Sequence, residues 1–366
     1  MATIAAFEGF YGGSHRQWLD QLAQHSAHQF RLFTLPDRFW KWRMHGGAVT
    51  LADQFLRSGL RPDLILATDM IDLNVLLGLI RSRVSGVPVA LYMHENQLTY
   101  PWSATDPDPD AGRDHHYGFI NYTSALAADQ VWFNSTYHMA SFLEALPAFL
   151  RMFPDHQNQE TVAAIRHKSI VVPLGIDLRS LDTAPIPDRA GVPAILWNHR
   201  WEFDKQPDTF FKVLFKLADA GHPFQLIVLG TKGEKYPPVF DAARERLHDH
   251  IVHWGPVNTR TEYAAWLGRA DLLPVTAIQD FFGISVVEAM YCDVYPLLPD
   301  RLAYPEHVPG QYRAAHLYTD EHDLLKRLSQ LLSEGIPNTP VRDWVRHYDW
   351  QHQVDHYDTL FSRLVA

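Results

Sequence analysis

Asp280-Phe281-Phe282-Gly283-Ile284-Ser285-Val286-Val287-Glu288-Ala289-Met290, preceded by Ala270-Asp271-Leu272-Leu273-Pro274-Val275, is the stretch on which the reading of this chain turns. Asp271–Val275 reads as a short buried strand and Ile284–Tyr291 as a helix, so the polar residues between them fall on a strand-to-helix loop. Such a loop suits phosphate. The N–H groups of Phe282, Gly283 and Ile284, near the helix start, lack intrahelical acceptors and carry partial positive charge. Two carboxylates eight residues apart, Asp280 and Glu288, bracket the glycine turn. Glu288, on the helix, can accept both hydroxyls of a ribose diol. Asp280 acting only as a helix N-cap is the alternative, but it leaves Glu288 and Gly283 unexplained.

The same alternation extends outward in both directions. Ile4–Phe7, Leu64–Ala67, Val87–Met93 and Gln130–Asn134 read as buried strands, with His15–Gln24, Leu73–Ser82 and Tyr137–Leu146 as helices. A second series follows: strands Ala194–Trp197, Phe224–Leu229, His250–Trp254, Asp271–Val275 and Tyr295–Leu298, with helices Pro207–Ala220, Pro238–His248, Thr261–Leu267 and Ile284–Tyr291. Strands that alternate with helices predict an α/β fold with parallel, doubly wound sheets. At 366 residues two domains are expected. They are read as residues 1–178 and 194–343, joined by a proline-bearing linker, 179–193, with 344–366 as a final helix packing back across the domains. Ligands of open parallel sheets bind outside the carboxyl ends of the strands, and the polar motifs do fall on strand-to-helix loops.

Composition narrows the function classes. Cys292 is the one cysteine, so no intrachain disulfide can form, and no stretch of about 18 apolar residues is present to span a membrane. With no secretory leader pattern at the start, a reducing, cytoplasmic setting is expected. The formal net charge of −10 argues against broad nonspecific nucleic-acid binding. The 21 histidines are scattered, with no HExxH and no paired CxxC, so no metal is expected. Cys292 follows an apolar helix and reads as core.

Three further motifs sit on predicted loops. Glu8-Gly9-Phe10-Tyr11-Gly12-Gly13-Ser14-His15 follows the first strand; its glycines permit a close backbone approach to a ligand, or simply a tight turn. His94-Glu95-Asn96-Gln97 ends a buried run, where His94 can orient a hydroxyl or move a proton, and where a capping cluster is the alternative. His199-Arg200-Trp201-Glu202-Phe203-Asp204-Lys205 places two cations five residues apart, suited to the charge on a departing diphosphate; a solvated basic pair bridged by Glu202 and Asp204 is the alternative. Separately, Arg38-Phe39-Trp40-Lys41-Trp42-Arg43-Met44-His45 interleaves cations with aromatic rings. Such a stretch can meet phosphates and stack a base, or its rings can be packing anchors. Arg81, Arg83, Arg166, His167 and Lys168 add candidate phosphate contacts, and Thr105–Asp110 is an acidic Pro/Asp loop.

Taken together, Ala270–Leu298 resembles the donor site of retaining family-4 glycosyltransferases with the GT-B fold, which carry a Glu, seven residues and a second Glu. Here the first carboxylate is Asp280, one methylene shorter. Arg200 with Lys205 is similar to that family's phosphate-binding pair, and Pro173-Leu174-Gly175-Ile176-Asp177 to its interdomain signature. Glu8–His15, Thr34-Leu35-Pro36, Trp40–Arg43, His94–Gln97 with Tyr100-Pro101, Phe133-Asn134-Ser135, Pro154-Asp155-His156, Trp197–Lys205 and Asp280–Pro296 resemble, more narrowly, the tRNA-queuosine α-mannosyltransferase family.

That resemblance implies GT-B architecture, two Rossmann-like parallel-sheet domains facing across a cleft. It implies a cytoplasmic enzyme moving mannose from GDP-mannose to queuosine in a tRNA anticodon, with retention and without a metal or other cofactor. Arg200, Lys205, His94 and Asp280 are then expected to be catalytic. Gly12, Gly13, Phe282, Gly283, Ile284 and Glu288 are expected to bind the donor. Arg38, Trp40, Lys41, Trp42, Arg43, Glu95 and Asn96 are expected to meet the acceptor. A GT-B enzyme with another nucleotide sugar and a lipid or small-glycoside acceptor, and a noncatalytic nucleotide-sugar or RNA-binding protein, stand as alternatives.

Overall fold

Leu64–Thr68 and Val89–Met93 are buried at every position. A strand that is apolar on both faces belongs in a parallel sheet covered by helices on both sides. The structure, a computed structural model that describes residues 1–113, 115–183 and 191–366, contains two such sheets. They lie in two compact units, Met1–Ile176 with Trp350–Ala366, and Asp177–Asp349.

The first unit runs β1 (Thr3–Tyr11), α1 (Gly13–His25), β2 (Gln29–Pro36), α2 (Trp40–Ser58), β3 (Leu64–Thr68), α3 (Leu73–Val84), β4 (Val89–Met93), α4 (His115–Ala127), β5 (Gln130–Phe133), α5 (Thr136–Leu150), α6 (Thr161–His167) and β6 (Ser169–Val171). Its strands are parallel, in the order β2-β1-β3-β4-β5-β6. The order reverses between β1 and β3, which makes the carboxyl ends of those strands the natural ligand position. Phe7, Phe33 and Phe55 form one aromatic knot of the core, with ring centroids 5.0–5.6 Å apart.

In the second unit β7 (Ala194–Trp197), α7 (Pro207–Asp219), β8 (Gln225–Val228), α8 (Val239–Arg246), β9 (Ile251–Trp254), α9 (Arg260–Arg269), β10 (Leu272–Pro274), α10 (Ile284–Tyr291), β11 (Tyr295–Pro299), α11 (Arg313–His316), β12 (Leu317–Tyr318), α12 (Glu321–Glu334) and α13 (Val341–Val345) follow in turn. The parallel strand order is β12-β11-β10-β7-β8-β9, so the reversal falls between β7 and β10. Trp201 stacks on Phe240 at 4.1 Å in its core.

α14 (Trp350–Leu364) returns to the first unit. The Tyr357 hydroxyl accepts from Trp18 Nε1 at 3.1 Å and donates to the Pro173 carbonyl at 2.9 Å, while Trp350 Nε1 donates to Gln21 at 2.7 Å. The segment Trp344–Leu364, expected as one helix, is two. Arg346–Tyr348 tightens into a 3₁₀ turn, and Asp349 leaves helical geometry so that its carboxylate accepts the Leu178 and Arg179 N–H groups at 3.2 and 3.3 Å. The units divide at Ile176/Asp177 and Asp349/Trp350, so 177–178 belong with the second unit rather than the first, and 344–349 with the second unit rather than the returning helix. Of the stretch read as a linker, Arg179–Thr183 is a 3₁₀ turn and Ala184–Ala190 lies outside the described residues.

Gly175 of the Pro173–Asp177 signature has a packing reason. A Cβ there would sit 2.4 Å from the Trp350 indole carbons. Trp350 is 1% exposed and cannot swing away. Gly175→Ala should therefore destabilise the first unit by about 1–3 kcal/mol through overpacking. Chemical denaturation followed by tryptophan fluorescence would read it, and an unchanged midpoint would remove this account of the glycine.

Candidate active site

The loop after β7 carries the densest charge. Lys205 ends a short 3₁₀ turn and is buried, and a buried ammonium persists only when it is paired. Its Nζ donates to the Gln279 carbonyl at 2.7 Å and lies 3.1 Å from Asp204 and 3.4 Å from Asp280. Burial alone would lower its pKa, but Asp280 and Asp204 outweigh that and raise it. For Asp280 burial pushes upward while Lys205 and His199 pull harder downward, and the Tyr304 hydroxyl donates to it at 2.9 Å. Arg200, expected beside Lys205, is exposed and pairs with Glu202 at 3.1 Å. An exposed pair of this kind contributes little and is easily exchanged for a ligand.

His199, beside Arg200, is 3% exposed. Burial, then the nearby Lys205, hold its pKa down at about 4, so the ring is neutral. Its Nδ1 meets Ser285 Oγ at 3.0 Å, and Asn198 Nδ2 donates to the Ser285 carbonyl at 2.7 Å. Gly230 is required here, because a Cβ would fall 2.0 Å from the His199 carbonyl oxygen, and its φ is +92°. Three buried polar atoms around this loop, His199 Nε2, Asn198 Oδ1 and Gln279 Nε2, have no hydrogen-bond partner among the described residues. Buried polar groups are nearly always satisfied, so this cluster has hydrogen-bonding capacity to offer a ligand or ordered water.

Glu288 lies on α10, below Gly283, whose φ of +90° bends the chain into the helix with no side-chain cap. Phe282, Gly283 and Ile284 therefore stand where expected, at an uncapped N-terminus. The Glu288 carboxylate is clamped from both sides: Arg260 Nη1 donates at 2.6 Å and the Tyr263 hydroxyl at 3.0 Å. Arg260 also reaches the Asp177 carbonyl and Ser180 Oγ, both at 3.1 Å. A capping box, Thr259 with Glu262, starts α9 and so places Arg260 and Tyr263 on its first turn. Cys292, just past α10, is half-buried; burial, then Glu288, push its thiol up to about 12, so no thiolate forms at neutral pH.

In the first unit the ends of β1, β3 and β4 bring Glu8, Asp69 and His94 together. Glu8 accepts from the Phe10 N–H at 2.7 Å and faces His15 Nδ1 at 3.2 Å. Burial opposes a charged His15, but Glu8, then Asp69 and Glu95, carry its pKa to about 9. The His94 ring lies tilted against the His15 ring with centroids 4.2 Å apart, and the His94 backbone N–H donates to Asp69 at 2.7 Å. Burial, then the charge of His15, hold His94 neutral. Its Nε2 and the Asn96 Nδ2 are buried without a partner among the described residues. Glu95 accepts from Gln97 Nε2 at 2.7 Å. A carboxylate oxygen of Glu8 and ring nitrogens of His15 and His94 lie within 4.8 Å of one another, a spacing a metal could use. Without a metal, a protonated His15 pairs with Glu8 beside the neutral His94 ring. Gly12 is obligatory because a Cβ would overlap the Asp37 carboxylate, at 1.8 Å; Gly13 has φ +49° and open space around it.

The basic-aromatic stretch divides. Lys41 Nζ lies 2.6 Å from both Asp106 and Asp108 of the acidic loop and over the Trp40 and Trp102 rings, so it is committed within the fold. Trp40 packs against Tyr117 at 5.0 Å. Trp42 is 64% exposed, Arg38 is exposed, and Arg43 Nε donates to the Pro36 carbonyl at 3.2 Å. Lys168, expected at phosphate, instead caps α4: its Nζ donates to the Leu126 and Ala128 carbonyls.

His199, Asn198, Gln279, Arg260 and Tyr263 were not selected from sequence, nor were Glu8, His15 and Asp69. Glu8 and His15 bracket the first glycine motif, and a charged pair around a strand-end turn was a usable signal. Nothing local ties Arg260 to Glu288, 28 residues away.

The chain is similar to known proteins over nearly its whole length. The family model described as tRNA-queuosine alpha-mannosyltransferase N-terminal matches residues 3–176, and that described as Glycosyl transferases group 1 matches residues 185–342. The tRNA-queuosine alpha-mannosyltransferase of Drosophila melanogaster is 32% identical over 335 residues, covering 89% of this chain and 85% of the relative. Among solved structures, sucrose-phosphate synthase of Thermosynechococcus elongatus aligns with a TM-score of 0.74 at 14% identity, over 100% of this chain and 99% of that one. Starch synthase IV of Arabidopsis thaliana, bound to ADP and acarbose, aligns at 0.72 and 12% identity, over 100% and 99%. At such identities the structural likeness shows the shared GT-B fold. No described helix is long and apolar enough to cross a membrane.

His199 and His15 predict opposite pH limbs. His199 falls from an ordinary value near 6.5 to about 4. The stability it contributes is full above pH 6.5 and is lost as pH drops through about 4. His15 is raised to about 9, so its pairing contributes fully below pH 6.5 and is lost as pH climbs through 9. Thermal midpoints from pH 4 to 10 should show His199→Gln flattening the acid limb and His15→Gln the alkaline one. Limbs as steep as in the unmodified chain would contradict these assignments.

Proposed function

This chain belongs to the tRNA-queuosine alpha-mannosyltransferase family, and on that premise we propose that it transfers mannose from GDP-mannose to queuosine in a tRNA anticodon, with retention at the sugar carbon. The observation that carries the reading is the switch point of the second unit. There a clamped carboxylate, a paired cation and three partnerless buried polar atoms converge at the ends of β7 and β10.

Each group has a task in this reading. Glu288, with both oxygens already oriented by Arg260 and Tyr263, uses its remaining lone pairs to accept the ribose hydroxyls. The N–H groups of Phe282, Gly283 and Ile284 hold a phosphate at the start of α10. Arg200 and Lys205 neutralise the charge that builds on the diphosphate as the bond to the sugar breaks. Asp280 keeps Lys205 charged and aimed; their 3.4 Å contact is the longest of the three and the easiest for a phosphate oxygen to replace. In the first unit Gly12 and Gly13 present backbone to a ligand, neutral His94 orients a hydroxyl, and Glu95 and Asn96 meet the acceptor. The acceptor oxygen attacks the face from which diphosphate departs, and its proton passes to the leaving phosphate oxygen. Two side-chain cations take the place of a metal, and a tRNA acceptor fits a cytoplasmic setting.

The direct test is incubation with GDP-mannose and queuosine-bearing tRNA, then nucleoside mass analysis. A hexosyl-queuosine is expected, and unmodified queuosine alone would sink the proposal. Arg200→Ala and Lys205→Ala should each lower kcat by about 10²–10³-fold, more than they weaken donor binding. Glu288→Ala should weaken GDP binding by about 10- to 100-fold in calorimetry. Unchanged affinity would remove the ribose role.

A further inference from the structure

α2 is apolar on two faces. One face, Met44, Gly47, Ala48, Leu51, Ala52 and Phe55, is buried in the core. The other begins at the N-cap and runs Phe39, Trp42, Gly46, Val49, at the three- and four-residue steps that align side chains on a helix. Phe39 is 72% exposed, Trp42 64% and Val49 56%. Gly46 makes room for the Trp42 indole, since a Cβ there would lie 2.5 Å from the ring. The indole thus lies along the helix with its outer face to solvent.

Folding does not account for Phe39. Its ring is in water, and its backbone has φ +57° and ψ +50°, the left-handed region that costs energy for any residue with a Cβ. An N-cap at this position would ordinarily be Asn, Asp or Ser, which could cap the helix, and α2 has no side-chain cap. A residue unfavourable to the fold in three ways invites a functional explanation. The surroundings indicate its kind. Arg38 lies over the Phe39 ring at 6.0 Å, and Arg43 stands one residue beyond Trp42. Aromatic faces with flanking guanidinium groups, on a chain of net charge −10, form a local exception suited to an anionic, base-bearing strand.

We propose that Phe39 and Trp42 are a stacking platform for unpaired bases of the RNA acceptor, with Arg38 on its backbone phosphate, and that Lys41 is not a phosphate contact but the strut that anchors the acidic loop through Asp106 and Asp108. The proposal rests on the tRNA-acceptor reading above and names which residues grip that acceptor.

The test uses the full chain and a labelled anticodon stem-loop RNA carrying queuosine. Phe39→Asn, which tolerates the left-handed backbone, and Trp42→Ser are made singly and together. The double variant should bind the RNA about 10- to 100-fold more weakly. Its KM for tRNA should rise while kcat at saturating tRNA and affinity for GDP stay unchanged. Thermal midpoints should hold or rise, the reverse of what a packing role for Phe39 would give. Arg38→Ala should reduce the slope of log Kd against log salt by roughly 0.7, the value for one single-strand phosphate. RNA affinity unchanged in the double variant, while the unmodified chain still glycosylates tRNA, would overturn the platform and leave the function standing. RNA affinity lost in the double variant of a chain that transfers no sugar would support the platform and sink the function. Variants that alter only self-association in sedimentation would overturn the platform in favour of a contact between copies.

Discussion

A strand buried on both faces can place polar side chains only at its ends, and everything chemical in this chain follows from that constraint. Ala194–Trp197 and Leu272–Pro274 are apolar throughout, so charge appears only where each run stops. The reversal of strand order between β7 and β10 then separates the two following loops and leaves room between them. Lys205 and Asp280 come from those two loops. Their pairing places a cation at the carboxyl end of the sheet with enough carboxylate nearby to keep it charged despite burial.

The first unit applies the same constraint with a different charge pattern. Glu8, Asp69 and His94 emerge from the ends of β1, β3 and β4, around that sheet's own reversal. Here the excess is of carboxylate. It fixes His15 as a cation, and that cation in turn helps to keep its neighbour His94 neutral. Two imidazoles 4.2 Å apart are thereby held in different protonation states, and one of them retains a free ring nitrogen. A neutral ring with an unsatisfied nitrogen can meet a hydroxyl as donor or acceptor, which a charged ring cannot.

Much of this was legible in the sequence, for identifiable reasons. The continuous apolar runs and the amphipathic stretches between them marked nine strands and seven helices near their observed places, because two-sided burial leaves a strong pattern. The edge strands Gln29–Pro36 and Ser169–Val171 were not read, since edge strands are partly solvated and alternate weakly. Trp40–Ser58 was read for its cations and rings rather than as a helix, because its outward face is apolar and obscures the usual periodicity. The break at Asp349 was hidden because the carboxylate serves the Leu178 and Arg179 backbone, about 170 residues away in the chain.

What the sequence by itself determined is the class of chemistry. Glycine turns, a carboxylate on a helix and two cations on a loop suit a phosphate-bearing ligand by residue type and position at strand ends, and the resemblance to a glycosyltransferase family is what implied a nucleotide sugar. Only the tertiary structure decided which partners make those groups competent. Arg260 and Tyr263 orient Glu288, Asp204 and Gln279 support Lys205, and the acidic loop withdraws Lys41 from the surface while leaving Phe39 and Trp42 on it. The physical reason is common to all three. Hydrogen bonds and ion pairs act over a few ångströms of space, and folding sets those distances without regard to separation along the chain.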